Sequence, residues 1–245
     1  MGALTVTGSG SLSATGASAD FSGGISCGVR AAGGIEVTGA ALTGTGKESG
    51  DSNLGVFSNG DIRVSGAGAL TGTSGASTRG NSIGVSASGH GIAVEGGSRL
   101  NGAGDVAGEV AGEVAGWNSI GIECSSLRVT GDGSRATGAS KTADRDSMAM
   151  YVLDQSIPPF GPGTITGNVL APAGGVIGNW TGYGDKSIRT VLTANGQPAT
   201  KATIGIGEDS ADIPKTGDGS MPLLWAGLVL LAGAGLLVLK KRRRA

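Results

Sequence analysis

Residues 52–75 read SNLGVFSNGDIRVSGAGALTGTSG, three short phrases set between glycine-bearing turns. Each phrase returns along the chain. The middle one, IRVSG at 62, appears as LTVTG at 4, IEVTG at 35, IAVEG at 92 and LRVTG at 127, in steps of 31, 27, 30 and 35 residues. The first, NLGV at 53, recurs as SCGV at 26, SIGV at 82, SIGI at 119 and SMAM at 147. The third, LTGTS at 70, recurs as LSATG at 12, LTGTG at 42, LNGAG at 100 and, decayed, ATGAS at 136. Self-similarity at such a period marks a chain built from stacked units.

Period-two alternation inside each phrase predicts strands, with Leu54, Val56, Ile62, Val64 and Leu70 on one side. One unit buries too few aliphatic side chains to order about thirty residues by itself. Stacked neighbours share backbone hydrogen bonds and cover each other's inward residues. The expectation is an all-β fold: a right-handed parallel β-helix over residues 1–153, about five to six coils of 27–35 residues each. A coil of that length is too long for the left-handed hexapeptide type. Gly39, Gly66, Gly96 and Gly131 each follow a strand, where a corner asks for positive φ. Loops ending in DSN (51–53), NS (81–82), NS (118–119) and DS (146–147) carry the side chains that suit such a turn. DVAGEVAGEVAG, 105–116, reads as a solvated loop expanded by duplication, with Glu109 and Glu113 in water and no cation between them.

On this reading three outward columns are on display. The first phrase presents Gly28, Gly55, Gly84, Gly121 and Ala149, with almost no functional groups. The second presents Thr5, Glu36, Arg63, Ala93 and Arg128, where Glu36 and Arg63 face each other as an exposed bridge. The third presents Ser13, Thr43, Thr71, Asn101 and Thr137. No column gathers the two or three carboxylates that a β-helix lyase or glycosidase needs, so the protein is expected to be non-enzymatic. His90, in SGHG, reads as a turn residue. Cys27 and Cys124 fall three coils apart, about 14 Å, and are expected free, with Cys27 a small core residue. Neither a metal site nor a cofactor is expected.

Composition agrees with a repeat rather than an aromatic-centred core, with 50 glycines and only 3% aromatic residues. The formal charge of −1 hides an asymmetry, because residues 1–216 hold 13 basic and 18 acidic groups. That balance argues against nucleic acid as a partner. All seven prolines lie at or beyond 158. Residues 154–212 therefore read as a separate β-rich segment that caps the open end of the coils, with a hairpin turn at Asn195-Gly196. Trp180 and Tyr183 in that segment are the pair able to stack on a sugar, against the plainer reading that they pack inside the cap.

The C-terminus carries a different signal. Ile213-Pro214-Lys215-Thr216-Gly217 is followed by an apolar span, 221–239, and by the basic run Lys240, Lys241, Arg242, Arg243 and Arg244. Leu223 to Leu239 as a helix reaches about 26 Å, enough with Met221 and Pro222 to cross a bilayer core. The basic run stays on the cytoplasmic side. This three-part order closely resembles the cell-wall sorting signals of Gram-positive surface proteins, whose motif is Leu-Pro-x-Thr-Gly; Ile213 stands in place of Leu. The resemblance implies that a sortase cleaves between Thr216 and Gly217 and joins Thr216 covalently to peptidoglycan. It also implies that the precursor is held in the membrane only transiently, through 221–239. Residues 1–216 resemble, more loosely, the Gly-rich repeat ectodomains of such proteins.

Together these readings predict an extracellular, sortase-anchored wall protein that presents a β-helix rod, adhesin-like or structural, to a host or neighbour-cell glycan or protein. The alternatives are a wall-anchored β-helix carbohydrate-active enzyme, lyase or hydrolase, and a glycan-binding module using Trp180 and Tyr183. MGALTVTGSGSLSATG has no basic and apolar leader pattern, so the full form is expected to carry a signal peptide and further coils.

Overall fold

A computed structural model describes residues 2–18, 24–77, 79–104, 109–110, 113–114, 117–141, 143, 145–155 and 160–207. Regular structure among these residues is entirely β. Like phrase lies on like phrase, in parallel and in register. In the second ladder Leu4 pairs with Ile35, Ile35 with Ile62, Ile62 with Ile92, and Ile92 with Leu127. In the third, Leu12, Leu42, Leu70, Leu100 and Ala136 succeed one another rung by rung. The first ladder runs Ser26, Asn53, Ser82, Ser119 and Ser147.

First and second ladders share one 12-stranded sheet, because strands Asn81–Glu95 and Asn118–Thr130 each run through both phrases. The five third phrases, with Asn168–Ala171 and Lys201–Gly205, form a separate seven-stranded sheet. Between the sheets lies a column of fully buried side chains: Val37, Val64, Val94 and Val129 stack beside Ile62, Ile92 and Leu127, and face Leu42, Leu70 and Leu100. The corner after the second phrase is glycine in left-handed conformation, with φ of 65° at Gly39, 61° at Gly66, 65° at Gly96 and 82° at Gly131.

The first ladder departs from simple alternation, and three expectations change with it. Val56 is fully buried in the main core, whereas Leu54, two residues earlier, packs on the outside of the sheet. Gly55 lies between them and is itself turned inward: a Cβ there would run into the backbone of Gly72 and Thr73 in the third ladder. Gly28, Gly84 and Gly121 meet the third ladder in the same way, and Ala149 is fully buried. These residues are therefore the inner contact between the two sheets, not an outward column. Only a residue without a side chain fits where the sheets come closest. Cys27, paired with Leu54, consequently sits on the outer side and is only half-buried.

The polar residues that open the first four of these phrases, Ser26, Asn53, Ser82 and Ser119, point inward and hold loops between the coils. Ser26 Oγ accepts from Lys47 N at 2.9 Å, Asn53 donates to the carbonyls of Lys47 and Ala76, and Ser82 and Ser119 donate to Gly75 O and Gly104 O. The chain segment 105–116 contains a short antiparallel ribbon, Glu109–Val110 with Glu113–Val114.

Antiparallel strands end both sheets. Ser187–Leu192 runs against Asp146–Asp154 and Val176–Thr181, while Lys201–Gly205 runs against Arg135–Ala139 and Asn168–Ala171. The Asn195-Gly196 turn is present, with Gly196 at φ 74° and Thr193 N donating to Gln197 O at 2.8 Å. It is followed by one bridge, Leu192 to Pro198, after which the chain crosses to the other sheet. The described residues up to Gly207 form one compact unit.

Candidate functional site

Three surfaces of the described residues collect chemically active side chains. The outer side of the first ladder is the least expected. Leu54, Ile83, Ile120 and Met148 make an apolar stripe there, joined by Tyr151, Leu153, Ile188 and Trp180. At the end of the stack nearest the antiparallel strands Trp180 and Ile188 cover it. At the other end it opens as a cleft of about 290 Å³ between Ile25, Cys27, Leu54 and Phe57, with Arg30 over the Phe57 ring at 5.7 Å. Glu123 closes one side of the cleft, and Ser86 Oγ donates to its Oε2 at 2.6 Å. Burial pushes the Glu123 carboxyl above its ordinary value, while the Ser86 bond and the Lys186 charge draw it part of the way back. Tyr151, its rung partner, is pushed up to about 12 by burial, with the Asp146 and Glu123 charges adding to the rise. Burial also raises both thiols, Cys27 and Cys124, so each stays protonated and unreactive at neutral pH.

The second surface is a polar groove of about 560 Å³ on the outer side of the second ladder. It exists because corners between first and second phrases differ in length. The rung register steps from Ala87–Cys124 directly to Gly91–Ser126, so Ser88, Gly89 and His90 stand opposite the single residue Ser125. His90 thus stands exposed in the three-residue corner, next to Gly89 at φ 73°. Its Nδ1 lies 3.9 Å from Asp61 Oδ1, which accepts from Gly91 N at 2.8 Å. Arg63 pairs with Glu95, Nε to Oε1 at 2.5 Å, and so takes a partner on its own side of the corner in place of the expected Glu36. Arg128, Ser126, Thr164 and Thr166 complete the groove.

The third surface surrounds Arg145. Its guanidinium lies over the Trp117 ring at 4.2 Å and the Tyr183 ring at 4.1 Å. The Asp146 carboxylate accepts from Tyr183 N at 3.2 Å, and burial raises its pKa against that bond and the nearby Lys186 and Arg145 charges. Tyr183 is 60% exposed, so it is not packed inside the closing segment; Trp180 is, against Ile188 and its neighbours. The two aromatics singled out in the sequence therefore do not form one platform. Trp117 and Arg145 were not legible as its members, because both stand in loops that no phrase repeats.

The sorting residues Ile213, Pro214, Lys215, Thr216 and Gly217, the span 221–239 and the basic run Lys240–Arg244 lie outside the described residues. No helix among the described residues is long and apolar enough to cross a membrane. Residues 211–245 match the family described as the LPXTG cell wall anchor motif. No curated protein and no solved structure matches the chain. The anchor match makes this a surface protein, processed by sortase, joined covalently to peptidoglycan and located outside the cell in a Gram-positive wall.

Proposed function

We propose that residues 1–153 coil as a right-handed parallel β-helix, closed by the antiparallel segment that follows, and that the wall-linked chain displays this rod as a non-catalytic, adhesin-like or structural element. The observation that carries the reading is the rung-by-rung match of all three ladders around one aliphatic column. Right-handed winding is the hand that twisted parallel strands favour in their crossovers. Attachment follows from the tail: the sortase thiolate adds to the Thr216 carbonyl, the Thr216–Gly217 amide breaks with Gly217 leaving as a protonated amine, and a peptidoglycan amine then displaces the thiol.

Expression of the full chain in a sortase-competent Gram-positive host tests both halves. Muramidase digestion should release the chain linked to wall fragments, and Thr216→Ala should leave nearly all of it in the membrane fraction. Adhesion of the displaying cells to glycan- and matrix-coated surfaces should exceed that of the Thr216→Ala strain; equal adhesion would refute the adhesin-like role. The carbohydrate-active alternative has one observation on its side, the approach of His90 and Asp61 over an open groove. Shortened products from a polysaccharide panel incubated with the displaying cells would favour it.

A further inference from the structure

The groove of the second ladder is where a displayed rod meets its surroundings with charge. Its outward columns are regular. Arg63, Ala93, Arg128 and Thr166 succeed each other on adjacent rungs, and beside them run Gly91, Ser126 and Thr164, with Asp61 heading the row. The rung in the middle contributes Gly91 and Ala93 to these columns, with His90 at the corner beside Asp61. It leaves a trough whose two arginine-bearing walls are two rungs apart, about 9.6 Å between their backbones. Glu95 holds Arg63 through Nε, which leaves the terminal amino groups of the guanidinium fork as donors. Arg128 is exposed on the opposite wall. Asp61, 79% exposed by side chain, and the hydroxyls of Ser126, Thr164 and Thr166 line the remainder.

Resting on the display reading above, we propose that this trough binds a uronate-bearing segment of an acidic polysaccharide. Arg63 and Arg128 donate charge-assisted hydrogen bonds to sugar carboxylates from the two walls. Asp61 accepts from sugar hydroxyls, and the Ser and Thr side chains donate or accept as the ring requires. The width suits a pyranose chain laid between the walls, and Gly91 and Ala93 let it reach the sheet. Two features separate this ligand from others. No Trp, Tyr or Phe ring lines the groove, and its one ring, the small His90 imidazole, lies beside Asp61, so the broad stacking face on which recognition of neutral glycans depends is missing there. Asp61 and Glu95 beside the arginines oppose a polymer with one phosphate per unit, whereas a sugar acid offers both a carboxylate for arginine and hydroxyls for aspartate.

The test uses the full chain in two forms, displayed on sortase-competent cells and as the detergent-solubilised precursor. Fluorescent polygalacturonate is the probe, and the same polymer with its carboxyls reduced to alcohols is the control. The displayed and solubilised chains should both retain polygalacturonate and not the reduced polymer. Arg128→Ala and Arg63→Ala should each weaken retention by roughly tenfold or more. Arg99→Ala, on the third ladder, should leave it unchanged. Equal retention of the two polymers, equal binding by the arginine variants and the parent, or no retention in either form would overturn the proposal. If the chain never reaches the wall while the solubilised form binds as described, the display reading fails and the groove assignment stands.

Discussion

The outer sides of the first and second ladders belong to one sheet and are carried in part on the same strands, yet they present opposite chemistry. Along Asn118–Thr130 the chain shows Ile120 and Glu123 to one surface and Arg128 to the next. The first surface is apolar and is partly roofed by Trp180 and Ile188, while the second is charged and open. One local feature separates them. At each inward glycine of the first ladder the alternation slips, so the apolar residue before it faces out and the apolar residue after it faces in. An apolar-Gly-apolar phrase thus feeds two cores, the aliphatic column and the outer stripe.

The sharpest way to break this comparison is to give one of those glycines a side chain. Gly84 lies against Ala103 N and Gly102 of the facing sheet, and backbone cannot yield as a flexible side chain can. Gly84→Val should destabilise the compact unit by about 3 kcal/mol or more, read as a collapse of the urea midpoint or loss of the β signal in circular dichroism. A variant as stable as the parent would show that the sheets are not in contact there. A gentler cut compares two leucines that look alike in the sequence. Leu70→Ala removes a fully buried member of the column and should cost about 2–5 kcal/mol, while Leu54→Ala, on the half-open stripe, should cost roughly 1 kcal/mol. Equal losses in chemical denaturation would mean that Leu54 faces the column after all.

Most of the ladder register was legible because the same residue types return at each rung: valine answers valine in the second phrase and leucine answers leucine in the third. What the pattern concealed was direction. Leu54 and Val56 flank a glycine at a spacing of two, and period two assigns them to one side unless the glycine itself is recognised as the contact. The polar opening residue, Ser26, Asn53, Ser82 or Ser119, was the available signal. It is buried in every case, so it sits on the inward side one position before the outward apolar residue. That error hid the cleft, since Glu123 and Ser86 then counted as members of no column. The groove was visible in part: Arg63 and Arg128 stood in the outward list, but the corner that lifts His90 is an insertion, and insertions leave no periodic trace. Trp117 and Arg145 were out of reach for the same reason.

The smallest expected effect separates the two faces by acid. Glu123 lies in the half-covered cleft, and its carboxyl is held above the ordinary value near 4.5 by burial. The folded chain then keeps its proton to higher pH than the unfolded chain does. Folded protein binds more protons than unfolded protein between those two points, so the contribution to stability falls as pH rises through that window. It is whole below the unfolded value and gone above the folded one. Asp146 is shifted in the same direction, mainly by burial, and adds to the slope. Glu123→Gln keeps an acceptor for Ser86 and removes the charge, so the drop in urea midpoint from about pH 4.5 to about pH 8 should become smaller without vanishing. A parent whose midpoint rises with pH over that range would show that water reaches Glu123 freely and that the stripe is no more enclosed than the groove.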